Sequence, residues 1–302
     1  MKILSFGSLN LDNVYQVSHH VRAGETLASS SLEQFAGGKG LNQSLALARA
    51  GAEVWHAGQI GPDGERLRTL LEENGVNCRF LRQGEERTGH TVIQVDRDGQ
   101  NCILLYGGAN RSIPKGWMEE VVSHFEAGDI LLLQNEINDI AYLVELARRR
   151  GMRIALNPSP MDERLAALAL DGVEWLLLNE IEGETLTGSR DAEEICAVLL
   201  ARYPGIKVVL TLGSAGARYQ DAAQRHVHGS FEVPVVDTTA AGDTFTGYFL
   251  EAAVRGTPVS KALERASLAA ALAVSHPGAA PSIPSAASVD SADFPLRKNR
   301  VD

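Results

Sequence analysis

The sequence predicts an α/β protein of three layers, in which a central, mostly parallel sheet is flanked by helices. Three observations predict this fold. Short apolar runs alternate with segments of helical spacing, two helices begin at glycine-rich turns, and two strand-rich excursions interrupt the alternation. Strands that alternate with helices are typical of parallel sheets covered on both faces.

Six apolar runs have the length and composition of buried strands. In chain order they are residues 2–6, 53–57, 129–133, 152–156, 174–178 and 207–212. Helical spacing occurs at residues 40–50, 139–150 and 191–203. A further helix is expected at 242–255, after an extended segment at 231–236. We therefore expect one sheet of parallel strands with helices in the connections.

Residues 13–35 and 88–106 depart from this alternation. Both are rich in strand-forming residues that are polar on one side, and Asp98-Gly99 is typical of a hairpin turn in the second. We expect the two excursions to form one small β-subdomain on a single domain of residues 1–302. The tail from Ala279 is rich in Ser, Ala and Pro, so loose packing is expected there.

Composition narrows the class of protein. Of 302 residues, 44% are hydrophobic and 22% charged, which is ordinary for a globular enzyme. A net charge of −10 argues against a large basic surface for nucleic acid. No apolar run approaches the ~18 residues of a membrane span, and the first residues do not resemble a signal peptide. Cys78, Cys102 and Cys196 lack CxxC spacing and indicate buried small side chains in a reducing compartment, so we expect the cytoplasm.

The most informative motif is Asp237-Thr238-Thr239-Ala240-Ala241-Gly242-Asp243-Thr244-Phe245. Its small residues allow a tight turn into a helix, whose free N–H groups and dipole favour an anion such as a phosphoryl group. Asp243 places a carboxylate beside that position, where it can accept a proton from an attacking hydroxyl. In isolation, Asp243 and Thr244 would more simply be read as residues favoured at a helix start.

Further polar and glycine-rich positions accompany this motif. Gly37-Gly38-Lys39-Gly40, with Asn42, forms a second glycine-rich helix entry. Gly213-Ser214-Ala215-Gly216 either lies against phosphates or makes a tight hairpin. Asn179 and Glu182 suit a water-mediated Mg²⁺. Because ligands bind at the carboxyl ends of parallel strands, the polar residues that follow the predicted strands are expected at one edge: Asn10, Asp12, Glu136, Asn157, Asn179 and Thr211.

Two common nucleotide motifs are missing from the sequence. The GxxxxGK[ST] spacing of a Walker A loop does not occur, and neither does the GxGxxG of a dinucleotide site. The sequence therefore does not support the hypothesis of a dehydrogenase.

Taken together, the two glycine-rich helix entries resemble the signatures of the ribokinase-family (PfkB-type) carbohydrate kinases. Their order and separation fit the family, and the resemblance extends from about residue 2 to 284. It implies ATP-dependent transfer of a phosphoryl group to a primary hydroxyl of a small sugar. Within the family the resemblance is closest to the members that phosphorylate ribose.

The resemblance also implies a role for each motif. Asp243 would be the catalytic base, and Ala240, Ala241 and Gly242 would form the anion hole. The sugar site would consist of Asn10, Asp12, Gly38, Lys39, Gly40, Asn42, Glu136 and Asp243. The ATP site would consist of Asn179, Thr211, Gly213, Ser214, Gly216, Gly242 and Ser267. Mg²⁺ would be held through water by Glu182, and an activating K⁺ by Asp237, Thr239, Ala273, His276, Gly278 and Ser282.

The resemblance further implies that the β-subdomain is a lid, which closes over the sugar and joins two copies in a homodimer. Two alternatives remain open from the sequence. One is a kinase for another monosaccharide or a nucleoside, and the other is a non-catalytic sugar- or nucleotide-binding protein on the same scaffold. We expect no nucleic-acid partner and no membrane partner.

Overall fold

The computed structural model describes residues 1–166, 168 and 170–297, so Lys298 and Arg300 of the basic chain end lie outside the described residues. The strands are β1 (Ile3–Phe6), β2 (Asn10–Gln16), β3 (Ser31–Gly37), β4 (Val54–Ile60), β5 (Asn77–Gln83), β6 (Gly89–Val95), β7 (Asn101–Tyr106), β8 (Ile130–Gln134), β9 (Arg153–Asn157), β10 (Val173–Asn179), β11 (Lys207–Thr211), β12 (Ala217–Gln220) and β13 (Arg225–His228).

The helices include two that carry the glycine-rich motifs at their first turns, α1 and α8. In chain order the α-helices are α1 (Lys39–Ala50), α2 (Glu65–Glu73), α3 (Lys115–Ser123), α4 (Ile140–Arg150), α5 (Glu163–Ala166), α6 (Glu180–Thr187), α7 (Ala192–Arg202), α8 (Ala241–Val254), α9 (Val259–Val274) and α10 (Ala286–Asp290).

The strands form a large sheet and a separate small one, as predicted. The large sheet has the order β13-β12-β11-β10-β9-β8-β1-β4-β5 in the described part of the chain. Its strands run parallel except β12 and β13, which add an antiparallel edge. The small sheet has the order β3-β2-β6-β7, and β6 and β7 form the hairpin expected around Asp98-Gly99.

Helices cover both faces of the large sheet, and β8 shows how the sequence produces this. Its side chains alternate between two cores: Ile130 and Leu132 belong to one, and Leu131 and Leu133 to the other. Burying each such side chain contributes about 1.5–3 kcal/mol relative to exposure. An uninterrupted apolar strand is therefore what a sheet covered on both faces requires.

The segment at 231–236, which was expected to be extended, joins neither sheet, and Phe231 makes an isolated bridge with Leu296. Another region differs from the sequence-based expectation. The tail from Ala279 was expected to pack loosely, which is wrong, because Ala279, Ala280 and Ile283 are buried.

This part of the tail is held by hydrogen bonds from the two main helices. The Arg49 guanidinium on α1 donates to the carbonyl oxygens of Ala280 and Ile283 at 2.9 and 2.6 Å. The Tyr248 hydroxyl on α8 donates to the Pro284 carbonyl at 2.8 Å. These hydrogen bonds join residues far apart in the sequence, so the local composition of the tail could not predict how it packs.

The cysteines were expected to be buried, and this is wrong for one of them. Cys78 and Cys196 are buried, and burial raises their pKa values to about 12 and about 11. Cys102 is exposed because it lies on β7, the edge strand of the small sheet, whose residues are all exposed. Separately, none of the helices in the described ranges has the length and apolar character needed to cross a membrane.

Candidate active site

Two cavities meet at the N-terminus of α8. The first, which we call the polar cleft, has a volume of about 900 Å³ and lies between the small sheet and the carboxyl ends of the parallel strands. The second, which we call the apolar cavity, has a volume of about 520 Å³. Five lining residues belong to both cavities, so the two are adjacent: Asn179, Thr211, Thr238, Gly242 and Phe245.

The first turn of α8 presents backbone donors at this junction. Ala240, at the N-cap, adopts the left-handed conformation with φ 61°, which costs a non-glycine residue about 1–2 kcal/mol. The N–H of Ala241 donates to the Thr238 carbonyl at 3.3 Å. Within the described residues, no acceptor satisfies the N–H groups of Gly242 and Asp243. These two groups, at the positive end of the helix dipole, form an anion site.

The carboxylate of Asp243 is held by two amide donors. Asn42 Nδ2 donates to Oδ2 at 3.0 Å, and Gln43 Nε2 donates to Oδ1 at 2.8 Å. The Asp243 side chain is only 6% exposed, so these bonds fix its orientation away from bulk water. Gln43 is fixed in turn, because its Oε1 accepts from Gln134 Nε2 at 2.8 Å. The result is a preorganised carboxylate at the edge of the polar cleft.

Close packing of α1 against α8 makes these hydrogen bonds possible. Gly247 lies at the contact, where a Cβ atom would come within 2.4 Å of Ala46 Cβ and 2.8 Å of the Leu47 nitrogen. Any larger residue would have to push the helices apart. Glycine at this position therefore brings the amides of Asn42 and Gln43 within reach of Asp243.

Lys39 and Glu136 form the floor of the polar cleft. Glu136 Oε2 accepts from Ser8 Oγ at 2.5 Å and from the Lys39 backbone N–H at 3.0 Å. Burial alone would lower the pKa of the Lys39 ammonium, but the charges of Asp243, Glu136 and Glu182 outweigh it and raise that pKa. Lys39 is therefore protonated at neutral pH. It therefore supplies a positive charge to the polar cleft, close enough to interact with these three carboxylates.

Asp12 and Asn10 lie at the start of the small sheet. Asp12 Oδ1 accepts from Thr91 Oγ1 at 2.7 Å, while burial and then the charge of Glu136 raise the pKa of the Asp12 carboxyl. Gly37 leaves room for this carboxylate, since a Cβ at Gly37 would lie 1.9 Å from Asp12 Oδ2. Asn10 Oδ1 accepts from Asn110 Nδ2 at 2.8 Å. Both side chains line the cleft.

The start of α6 and the apolar cavity contain the residues expected to bind Mg²⁺ and the nucleotide. Asn179 and Glu182 form a capping box, with reciprocal bonds of 2.9 and 3.0 Å. The box uses Glu182 Oε2, and Oε1 has no hydrogen-bond partner within the described ranges. The other expected nucleotide contacts line the apolar cavity: Thr211, Gly213, Ser214, Gly216 and Ser267. Ser267 Oγ is buried and lacks a partner in the described part of the protein.

Two loops next to the α8 turn contain the residues expected to hold a monovalent cation. Asp237 Oδ1 accepts from the Thr239 N–H and hydroxyl at 2.9 and 2.6 Å, and Oδ2 accepts from the Gly278 N–H at 2.9 Å. Burial alone would raise the pKa of Asp237, but these hydrogen bonds outweigh it and lower that pKa. The His276 ring lies within hydrogen-bonding distance, 3.0 Å, of the Leu272 carbonyl, on the surface. Ala273 and Ser282 are buried behind the loops.

The structure thus brings together most of the expected site residues, but four of them line neither cavity. Gly40 packs against the backbone of Gly7 and Ser8, and the other three belong to the expected cation site: Ala273, His276 and Ser282. Sequence reasoning missed Gln43 and Asn110. For Gln43 the available signal was its place directly after Asn42 in the first turns of the glycine-rich helix entry. For Asn110 it was the Gly-Gly-Ala-Asn turn directly after a hairpin.

A helix-terminal anion site beside a buried carboxylate, at the junction of two cavities, defines a phosphotransferase that acts on a small molecule. Comparison with known proteins specifies the class further. Residues 1–286 match the pfkB family of carbohydrate kinases, and the chain belongs to this family.

Individual relatives agree over nearly the whole length. The ribokinase of Haemophilus influenzae is 33% identical over 287 residues, which cover 92% of this chain and 94% of that protein. The structure of Arabidopsis thaliana ribokinase with ribose and ATP has a TM-score of 0.83 at 30% identity, covering 95% of this chain and 96% of that one. Ribokinase from Cryptococcus neoformans with ADP has a TM-score of 0.83 at 31% identity, covering 96% and 98%.

Proposed function

We propose that this carbohydrate kinase transfers the γ-phosphate of ATP to the primary hydroxyl of free ribose. The observation that carries the proposal is the position of Asp243, which lines the polar cleft directly after Gly242, a residue that both cavities share, in the first turn of α8 with its free N–H groups. The sugar would occupy the polar cleft and the nucleotide the apolar cavity. The relatives support the choice of ligands, since they are ribokinases and two of them were solved with ATP or ADP.

The charge of the polar cleft favours a neutral, hydroxyl-rich acceptor. Lys39 is the one basic side chain among the described residues that line it, whereas several carboxylates face it. A phosphorylated sugar would need more cations than this, because carboxylates repel a second phosphate. Hydroxyl groups, in contrast, can donate to Asp12 and Glu136 and accept from Asn10 and Asn42.

Each of these residues has a separate role in the proposed phosphoryl transfer. Asp243 orients the primary hydroxyl and accepts its proton as the oxygen attacks the γ-phosphorus. The carboxylate need not be a strong base, because phosphoryl transfer passes through a loose transition state and depends mainly on positioning and charge stabilisation. The N–H groups of Gly242 and Asp243, with the Lys39 ammonium, stabilise charge on the transferring oxygens.

Magnesium and potassium fit the donors at two places. Asn179 and Glu182 would hold hydrated Mg²⁺ by the free Glu182 oxygen, and the ion when bound neutralises phosphate charge. Asp237 already ties the two cation loops together through Thr239 and Gly278, so the carboxylate and loop carbonyls suit K⁺. We expect kcat to rise when KCl replaces tetramethylammonium chloride, and equal rates in both salts would remove the K⁺ site.

The small sheet would close over the sugar as a lid and join two copies of the chain. Val14, Ile93 and Leu105 line the cleft from this sheet, so closure would exclude water and limit ATP hydrolysis. The edge strand β7 exposes Ile103, Leu104 and Tyr106, each more than half accessible. Such an edge invites pairing with a second chain. Light scattering should give the mass of a dimer, and Leu104→Glu should give a monomer.

We also propose a cytoplasmic location. ATP is supplied there, and the three free cysteines would remain reduced.

A coupled assay of ADP release tests the function. We expect release to depend on added sugar and kcat/KM to be highest for ribose in a panel of ribose, 2-deoxyribose, fructose and nucleosides. A higher value for any other member would replace ribose as the substrate. Sugar and nucleotide binding without any sugar-dependent release would instead identify a non-catalytic binding protein, and the panel therefore separates all the alternatives.

A further inference from the structure

The wall of the apolar cavity includes a residue from the far C-terminal segment. Residues 295–297 return alongside residues 230–232 through two backbone hydrogen bonds. The Arg297 N–H donates to the Ser230 carbonyl at 2.8 Å, and the Glu232 N–H donates to the Pro295 carbonyl at 2.9 Å. Together they make the antiparallel bridge between Leu296 and Phe231. This segment is therefore hydrogen-bonded in place at the cavity, and Arg297 is one of the residues that line the cavity.

Apart from the backbone N–H groups at the start of α8, the apolar cavity has little to attract an anion. Its walls are mostly small and apolar side chains, such as Val233, Val235 and Ala271, and its turn at Gly213–Ala215 has no basic residue. Arg297 is the one cationic side chain among the described residues that line the apolar cavity, and Glu180 is the one acidic side chain.

The guanidinium of Arg297 is also available to a ligand. It has no hydrogen-bond or ion-pair partner within the described residues. Arginine offers five donors in a planar fork that matches phosphate oxygens, and its charge is permanent. A polyanionic nucleotide in this cavity would therefore meet a single, uncommitted cation.

We propose that Arg297 is a nucleotide-binding residue, through which the C-terminal segment supplies positive charge to the phosphates of bound ATP or ADP. This inference rests on the proposed function, in which the apolar cavity holds the nucleotide. Because Arg297 is exposed, its contribution is that of a partly screened ion pair.

Direct binding measurements test the inference without turnover. ADP and adenosine are each titrated calorimetrically into wild type, Arg297→Gln, Arg297→Lys and Arg297→Glu. Only the adenosine affinity of the site from which ADP displaces adenosine is compared. We expect Arg297→Gln to weaken ADP binding about 3- to 10-fold, Arg297→Glu to weaken it more, and Arg297→Lys to keep most of the affinity. Adenosine affinity should stay within about twofold, because adenosine carries no phosphate. Arg149 is exposed on α4 and does not line the cavity. Arg149→Gln makes the same charge change and should bind ADP as wild type does.

Each other result has a definite meaning. Unchanged ADP affinity in Arg297→Gln would overturn the inference. Equal losses of affinity for ADP and adenosine would overturn it too, because they would show that Arg297 only shapes the cavity and that its charge does not bind phosphate. Wild-type protein that does not bind ADP would overturn both this inference and the proposed function. A selective loss of ADP affinity, together with no sugar-dependent ADP release in the coupled assay, would keep the inference and remove only the proposed function.

Discussion

The polar cleft and the apolar cavity share the first turn of α8 but are built in different ways. In the cleft, side chains are fixed by hydrogen bonds to other side chains: Gln134 donates to Gln43, and Gln43 donates to Asp243. In the cavity, backbone turns and small apolar residues form most of the wall. Chemistry requires a fixed carboxylate, whereas nucleotide binding requires mainly shape and accessible N–H groups. Substitutions in the cleft should therefore cost far more activity than substitutions in the cavity.

The largest difference is expected from Asp243→Asn. This variant should lose about 10²- to 10⁴-fold in kcat, because it cannot accept the hydroxyl proton. Its ADP affinity should change little, since the backbone donors of α8 remain. Steady-state kinetics and calorimetry check the two halves of this expectation. Asp98→Asn, in the exposed hairpin turn, is the matched control and should have normal kcat. Turnover near that of wild type in Asp243→Asn would remove the assignment of the base.

A smaller but more specific effect is expected from Gln43→Glu. The change places a second carboxylate at the position of the donor that now lies 2.8 Å from Asp243 Oδ1. Two carboxylates so close share a proton, which raises the pKa of the pair. Because the base must be ionised, the acidic limb of the kcat profile should move to higher pH, and kcat at pH 7 should fall about tenfold or more.

Gln43→Leu separates this electrostatic effect from simple loss of packing. It removes the donor without adding a charge, so kcat should fall. Because the ionised carboxylate loses one hydrogen bond, the acidic limb should also move to higher pH, but by less than in Gln43→Glu. If the two variants gave the same pH profile, the added charge in Gln43→Glu would have no effect beyond the loss of the donor.

The sequence could predict the features that depend on local patterns, but not those that depend on contacts between distant residues. The central strands were predictable because a strand buried on both faces is a continuous apolar run, as in β8, and the glycine-rich turns mark where α1 and α8 begin. The edge strands β5, β12 and β13 carry too many polar residues to be recognised in this way. The Asp243 motif was visible as a local pattern, but its restraint by Gln43 depends on the packing of two helices about 200 residues apart in sequence.

The C-terminal segment shows the same limit in the apolar cavity. A Ser-, Ala- and Pro-rich tail gives no local signal for the long-range bonds of Arg49 and Tyr248, or for the return of Arg297 to residue 230. Cys102 was misjudged because a lone cysteine does not reveal whether its strand is central or at an edge.

Asp12 gives the third prediction, which distinguishes binding from chemistry within the cleft. Asp12→Asn should weaken ribose binding about tenfold, because a charged acceptor of hydroxyl hydrogen bonds is lost, while ADP binding is unchanged. Burial and then Glu136 raise the pKa of Asp12, and protonation removes the acceptor. Ribose affinity should therefore fall as pH decreases through a range above that of an ordinary carboxyl. Calorimetry against pH should show this fall in wild type and not in Asp12→Asn, and parallel curves would contradict it.

The smallest effect is expected in the cavity, from Ser267→Ala. Ser267 Oγ is buried without a partner among the described residues, so it has lost water without gaining a hydrogen bond. Removing it should leave the free energy of unfolding unchanged or raise it by up to about 1 kcal/mol. If the hydroxyl bonds the nucleotide, ADP affinity should fall about two- to fivefold, with kcat unchanged. Thermal denaturation with and without ADP measures both effects. Ser123→Ala, at an exposed position on α3, is the control. A large loss of kcat in Ser267→Ala would mean that the cavity wall also positions the phosphate for transfer, and the contrast between the two cavities would fail.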